Sequence, residues 1–339
     1  MSSEAPPLFL HIGRGKSGSS TIQSLAVDHA PFMKSQGVIC PLTVHGMANH
    51  ARLASALYEP QSDPATLKKF RKDVRKHLKA KVFVSAEALF SLNRPHLKHL
   101  KRLIGDRETR ILCYVRDYPG WLQSVYAQRT KRSVNTLDFD QYYRATRKTT
   151  TVLPRLERWA EAFGWDKMRI RPLDAASLAG GDLITDVLQA MEVNASPGEV
   201  ASLNLTPHWI TLELQRALVM AAAQAGVTID PRAGRVSRAL FESCAADVKP
   251  SKVQYFTKEQ WLDLAELYKA DMKALSQRTE VPLAINLREP GERAFLPEIS
   301  AIPETVKVCI KQKLEMPEYA SRMRPDVTAL VRKLLDRNA

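Results

Sequence analysis

The sequence predicts an α/β fold: a central, mainly parallel sheet flanked by helices, with a helical C-terminal part. Three observations point to it. Short apolar runs alternate with helical patterns through roughly the first 205 residues. The first run ends in Gly13, Gly15 and Gly18, three of only 14 glycines in the chain. Beyond about residue 205 the apolar spacing becomes wholly helical.

Taken in order, Leu8-Phe9-Leu10-His11-Ile12 reads as a buried strand. After the glycines, Ser19-Ser20-Thr21 stands before apolar residues at helical spacing through Ala26, hydroxyls of the kind that start helices. Strands are expected again at 37–41, 81–85, 109–116 and 167–171. Helical patterns fall near 64–79, 95–103, 119–132, 138–163 and 182–192, then near 207–225 and 258–277. Pro282, Pro290, Pro297, Pro303, Pro317 and Pro325 predict a loosely organised tail that ends in a helix near 325–336. The expected division is a core over 1–205, a helical part over 206–280 and an extension over 281–339.

With 45% hydrophobic and 25% charged residues, the chain can bury a sizeable core, which excludes disorder as its main state. Against 36 acidic residues stand 50 Lys and Arg, a net charge of +14. That balance implies anionic partners, among which nucleic acid, anionic lipid, acidic polysaccharide and nucleotide phosphates all qualify. Cys40, Cys113, Cys244 and Cys309 are widely spaced with no CxxC pair, an argument against a disulfide scaffold and a zinc ribbon. The start MSSEAPPLFLHIG lacks the basic n-region and long apolar stretch of a signal peptide, and no apolar run of about 18 residues occurs. A cytoplasmic protein is expected, with peripheral contact to the inner membrane open to it through its basic surface.

Strand, Gly-rich loop and helix form a backbone suited to phosphate, because the first-turn N–H groups and the helix dipole favour an anion. Gly15-Lys16-Ser17 invites a Walker A reading, but Leu10 stands where that motif needs its first glycine. What remains is Arg14-Gly15-Lys16-Ser17-Gly18-Ser19-Ser20-Thr21, a lysine followed by hydroxyls at a helix start; the plain alternative is a flexible turn with a solvated lysine. A second half-site is Arg116, at the carboxyl end of the 109–116 strand, with Ser124 eight residues on. Read alone, Arg116-Asp117 fits a structural ion pair equally well.

Together these segments resemble the PAPS-dependent sulfotransferases. Lys16-Ser17-Gly18-Ser19-Ser20-Thr21 is similar to that family's 5′-phosphosulfate loop, and Arg116 with Ser124 to its 3′-phosphate site. Arg169 to Asp174 and Gly180 to Leu183 look like the strand and helix that follow in bacterial carbohydrate-type members. The resemblance covers about residues 8–195, and loosely to 277. It implies a P-loop NTPase-like fold, PAPS as sulfuryl donor without a metal, and transfer to a hydroxyl or amine of a glycan or glycolipid. The 206–280 part would complete the acceptor side. The R-K-G segment of many small-molecule members is absent, which argues against a phenol or steroid acceptor.

The same resemblance implies that Lys16 neutralises charge on the leaving oxygen and that a glutamate or histidine takes the acceptor proton. Glu87, just past the 81–85 strand, and His50, at the entry to a helix, are the candidates. His45 is a weaker one, and His11 reads as structural. Fourteen Lys and Arg against four acidic residues fall between 66 and 110, a solvated helical face or a docking surface for an anionic acceptor. Poor aromatic interleaving argues against nucleic acid. Two other classes compete: a P-loop-like nucleotide kinase or hydrolase, and a basic anion-binding protein without enzymatic activity. Oligomeric state is not legible.

Overall fold

The computed structural model describes residues 5–41, 50–198, 207–249, 253–279, 281–287 and 302–336. Strands β1 (Leu8–His11), β2 (Val38–Ile39), β3 (Lys81–Ser85), β4 (Thr109–Val115) and β5 (Met168–Pro172) form one sheet in the order β2-β3-β1-β4-β5, every pair parallel. Helices α1 (Ser19–Val27), α2 (Ala30–Ser35), α3 (Ala51–Tyr58), α4 (Pro64–Lys76) and α5 (Arg94–Ile104) intervene before β4. Then come α6 (Tyr118–Lys131), α7 (Phe139–Thr146), α8 (Leu153–Phe163) and, after β5, α9 (Leu183–Ala190). The rest is helical: α10 (Trp209–Gln224), α11 (Pro231–Ala245), α12 (Lys258–Thr279), α13 (Glu304–Leu314), α14 (Pro317–Ala320) and α15 (Pro325–Asp336). The predicted α/β class, with its central parallel sheet and helical C-terminal part, is the architecture observed.

Two compact units share the chain: Met1–Tyr118, Thr151–Leu203 and Ala265–Leu287 in the first, Pro119–Thr150, Asn204–Leu264 and Arg288–Ala339 in the second. This division interleaves the chain rather than cutting it at 205 and 280. The first unit holds the whole sheet. Phe9, Phe83, Leu112 and Tyr114 pack on one of its faces with Ile22 and Leu25 of α1, Met33 of α2 and Val187 and Leu188 of α9. The alternate residues Leu8, Leu10, Val82, Val84, Ile111 and Cys113 are also fully buried, so both faces are covered, as a parallel sheet requires. After β1 the chain builds toward β2, while β4 and β5 extend the opposite side. The loop after β1 therefore leaves the sheet where its order reverses, the place where such sheets bind ligands.

In the second unit an aromatic cluster of Tyr126, Phe139, Tyr142, Tyr255 and Phe256 surrounds α6 and α7, with ring centroids 4.9–5.5 Å apart. Two expectations are corrected. The single helix expected over 138–163 is two, α7 and α8, separated by a short 3-10 turn at 147–149. The β-branched run Thr149-Thr150-Thr151 and Pro154 disfavour a continuous helix there. The tail is also better ordered than its prolines suggested over 302–336. Pro317 and Pro325 open helices, where a missing N–H costs nothing, and Pro303 caps one. Val306, Ile310, Val327, Val331 and Leu335 are buried, α13 packing on α11 and α15 on α10.

A third correction concerns the cysteines. Cys244 of α11 and Cys309 of α13 form a disulfide with Cα atoms 5.8 Å apart, inside the second unit. Their 65-residue separation hid the pairing, since it requires the packing of two distant helices. Cys40 and Cys113 carry free thiols. Among the described residues no helix is long and apolar enough to cross a membrane.

Candidate active site

The glycine-rich loop begins where β1 ends. His11 is fully buried, its Nδ1 2.7 Å from Ser85 Oγ, and burial pushes its pKa down to about 3, so it stays neutral. It has the structural place expected of it. The Ser17 N–H donates to Arg14 O at 3.1 Å and closes a turn in which Lys16 holds φ 68°. That is the left-handed region, which turns usually give to glycine at this position. Gly18 follows at φ 76° as the N-cap of α1, and no side chain caps the helix. A side chain at Gly18 would also lie 2.4 Å from Leu183 Cδ2 of α9.

Two observations fit an oxyanion at this turn. The hydroxyl of Ser17 is fully buried with no hydrogen-bond partner, and the first turn of α1 relies on no side-chain cap. Ser20 and Thr21 lie half-buried in that first turn. Arg116, at the end of β4, reaches the loop from the other side, its Nη1 3.4 Å from Lys16 O. Burial lowers the pKa of its guanidinium, and Asp117 at 4.0 Å acts in the opposite sense.

Glu87 opens a 3-10 turn (Glu87–Ser91) just past β3. Its Oε2 accepts a hydrogen bond from Ser19 Oγ at 2.8 Å, and a Cβ on Gly15 would lie 3.0 Å from the same oxygen. An exposed carboxylate thus rests on the loop.

His50 is placed differently. It is 1% exposed, the Ser85 N–H donates to its Nδ1 at 3.1 Å, and its Nε2 donates to Pro41 O at 2.7 Å. Burial lowers its pKa, and both nitrogens serve the backbone. In this geometry His50 braces β3 and has no nitrogen left for an acceptor proton. His45 lies outside the described residues.

Arg14, also expected to help bind the donor, lies in the loop itself. Its side chain is buried, with Cζ 5.9 Å over the Tyr118 ring, and burial lowers its pKa to about 9. The Tyr118 hydroxyl in turn donates to Asp271 of α12, whose Oδ2 accepts the Val152 and Leu153 N–H groups at 2.8 and 3.1 Å. Asp271 thereby caps α8 from a distant helix, a role with no local sequence signal. Arg171 pairs with buried Asp186 at 2.7 Å, and Asp186 accepts from the Tyr114 hydroxyl, which ties α9 to the sheet. Arg116 and Ser124 belong to different units, Ser124 on α6 in the second. Of the basic 66–110 stretch, Arg107 is buried against the carbonyls of Pro6, Val74 and Ala80, and Arg110 pairs with Glu108 and Glu192. The lysines and arginines of α4 are mostly exposed. Among the described residues no group of three or more His, Cys, Asp or Glu is placed to hold a metal ion.

No family model matches this chain. A protein of Archaeoglobus fulgidus described as uncharacterized is 26% identical over 144 residues, which is 40% of this chain and 37% of that protein. The match thus spans little more than a third of that relative's length. Among solved structures, a sulfotransferase from Alicyclobacillus acidocaldarius aligns over 82% of this chain and 97% of that one, with 14% identity and a TM-score of 0.43.

Proposed function

We propose that the protein is a sulfotransferase. It would move a sulfuryl group from PAPS to a hydroxyl or amine of a glycan or glycolipid and release 3′-phosphoadenosine 5′-phosphate. The observation that carries this reading is the approach of Arg116 to Lys16 O, which brings a second cation to the hydroxyl-rich loop. The orphaned Ser17 hydroxyl and the helix start at Gly18 support an oxyanion between them.

In this reading the hydroxyls of Ser17, Ser20 and Thr21 and the first-turn N–H groups of α1, that of Ser19 among them, hold the 5′-phosphosulfate, while the Ser19 hydroxyl donates to Glu87 and Arg116 holds the 3′-phosphate. Ser124 is assigned to the latter by resemblance alone. When bound, the donor supplies a sulfuryl group on a phosphate leaving group. Lys16 offsets the negative charge that grows on the bridging oxygen as the S–O bond breaks. Glu87 takes the proton of the acceptor hydroxyl as its oxygen bonds to sulfur; a carboxylate that accepts from Ser19 keeps lone pairs for this. Positioning and charge then provide most of the catalysis, as in phosphoryl transfer.

Thermal stabilisation by adenosine 3′,5′-bisphosphate, lost in Arg116→Ala, tests donor binding. Radiolabelled PAPS incubated with glycan and lipid extracts tests transfer. Stabilisation by ATP with magnesium but not by the bisphosphate would favour a kinase or hydrolase. Salt-sensitive binding to DNA or anionic vesicles with no nucleotide effect would favour a basic binding protein.

A further inference from the structure

One strongly charged surface has no part in the reading above: the outer side of α4, in the first unit. Leu67, Phe70 and Val74 recur at helical spacing and are buried, with α4 packed on α3 and α5. On the side away from them Lys68, Arg71, Lys72, Arg75 and Lys76 are exposed, and Lys79, just past the helix, is exposed as well. The helix carries six Lys and Arg against one acid, Asp73, and Lys69 takes that carboxylate at 2.8 Å.

Elsewhere in the same unit Arg52, Arg94, Arg110 and Arg171 each pair with a carboxylate. On α4 the neighbours are of like sign instead. Lys68, Lys72 and Lys76 stand four residues apart, as do Arg71, Arg75 and Lys79, a spacing at which equal charges repel and oppose the helix. An anionic surface laid along them would relieve that repulsion. Leu78, in the turn between Lys76 and Lys79, is 50% exposed. Lys81 opens β3 just beyond it, parallel to β1, so this turn lies at the amino edge of the sheet. The glycine-rich loop leaves the opposite, carboxyl edge.

We propose that α4 and the turn after it dock on the surface of an anionic lipid bilayer, the cations meeting headgroup phosphates and Leu78 reaching the acyl boundary. A row of Lys and Arg gains from the negative surface potential of such a bilayer, cation by cation. The apolar side of α4 is committed to the protein core, so the helix docks by charge and does not sink into the lipid, and one leucine supplies the apolar contact. Leu78 also favours a bilayer over nucleic acid, because phosphates alone gain nothing from it. Phe70, the aromatic residue of this helix, is buried and offers no base a stacking platform. Docking of this kind is independent of the reaction proposed above, and its apolar anchor stands at the edge of the sheet away from the loop.

Co-sedimentation of the full chain with vesicles of phosphatidylcholine, alone or mixed with phosphatidylglycerol, tests the docking face. Binding is expected to the mixed vesicles only, and to weaken as salt rises. Lys72→Gln combined with Lys76→Gln should lower the affinity about 25-fold, about fivefold for each cation. Arg232→Gln combined with Arg235→Gln removes two exposed charges from α11 in the second unit and should change it by about twofold at most. Leu78→Ser should weaken binding severalfold and leave the salt dependence as it was. Equal binding to both vesicles, binding to neither, an equal loss in the α11 pair, or no effect of Leu78→Ser overturns the docking face. So does tighter binding of a DNA duplex or of heparin that the α4 pair abolishes, which would make the face a site for soluble polyanions. A protein that docks on the mixed vesicles but ignores adenosine 3′,5′-bisphosphate would keep the docking face and overturn the donor reading instead.

Discussion

Ser19 and Glu87, 68 residues apart in sequence, meet across the glycine-rich loop through a 2.8 Å hydrogen bond. The bond sets a carboxylate beside a loop suited to an anion. Replacing Glu87 by Gln keeps the size and the acceptor oxygen but removes basicity. In the proposed sulfotransferase, kcat should fall about 10²–10⁴-fold with affinity for adenosine 3′,5′-bisphosphate unchanged. A variant that turns over at near-native rate would remove Glu87 from the chemistry.

Lys16 is assigned the charge that builds on the leaving oxygen. Lys16→Ala should cost about 10²–10³-fold in kcat, the usual loss for one preorganised charge donor. Single-turnover rates at saturating donor would measure it. A loss confined to KM would recast Lys16 as a binding residue.

His50 should matter for stability and not for chemistry. His50→Ala leaves the Ser85 N–H and the Pro41 carbonyl buried without their partner, which costs about 1–3 kcal/mol. Urea denaturation would report that loss, and the folded fraction should keep its turnover. A fully stable but inactive variant would return His50 to the active site.

The two buried histidines make stability depend on pH. Their folded pKa values lie below the ordinary 6.5, that of His11 at about 3. Well above pH 6.5 neither state binds a proton at these rings, so they contribute no slope. Between 6.5 and about 3 the unfolded chain binds a proton at His11 that the native state refuses, so stability falls on acidification. From pH 6.5 to 5 the loss from His11 is about 2 kcal/mol. Denaturation midpoints of the native protein and His11→Gln across that range would show the slope, which should flatten in the variant. Parallel slopes would mean that His11 is protonated in the fold.

The Cys244–Cys309 bridge should hold the second unit together. Its loss in Cys244→Ser, or by reduction, is expected to cost about 2–4 kcal/mol. Thermal melts with and without reductant would show a shift in the native protein and none in the variant. Equal melting of all three samples would mean that the bridge adds no stability.

Much of the fold was written locally. Four of the five predicted strands have their own apolar run, the one at 167–171 alternates instead, and the loop after β1 has glycines and hydroxyls that few plain turns need. Glu87 was readable as a candidate because a residue just past a parallel strand falls at the ligand-binding edge. Its contact with Ser19 was not, since that requires β1 and β3 to be neighbours. Asp271 was hidden for a similar reason: it caps a helix more than a hundred residues earlier. His50 misled because a histidine before a helix looks exposed until the packing of β3 is known. The prolines of the tail were read as breakers, although three of them stand where helices begin.

The backbone at Lys16 carries a further consequence. At φ 68° a lysine adopts a shape that glycine holds without penalty. The native residue thus trades robustness for an ammonium group, and a variant can reverse the trade. Lys16→Gly should melt above the native protein while losing the reaction, whereas Lys16→Ala should lose the reaction and keep the strain. Compared side by side, the two would measure how much resilience the loop forgoes to keep its cation.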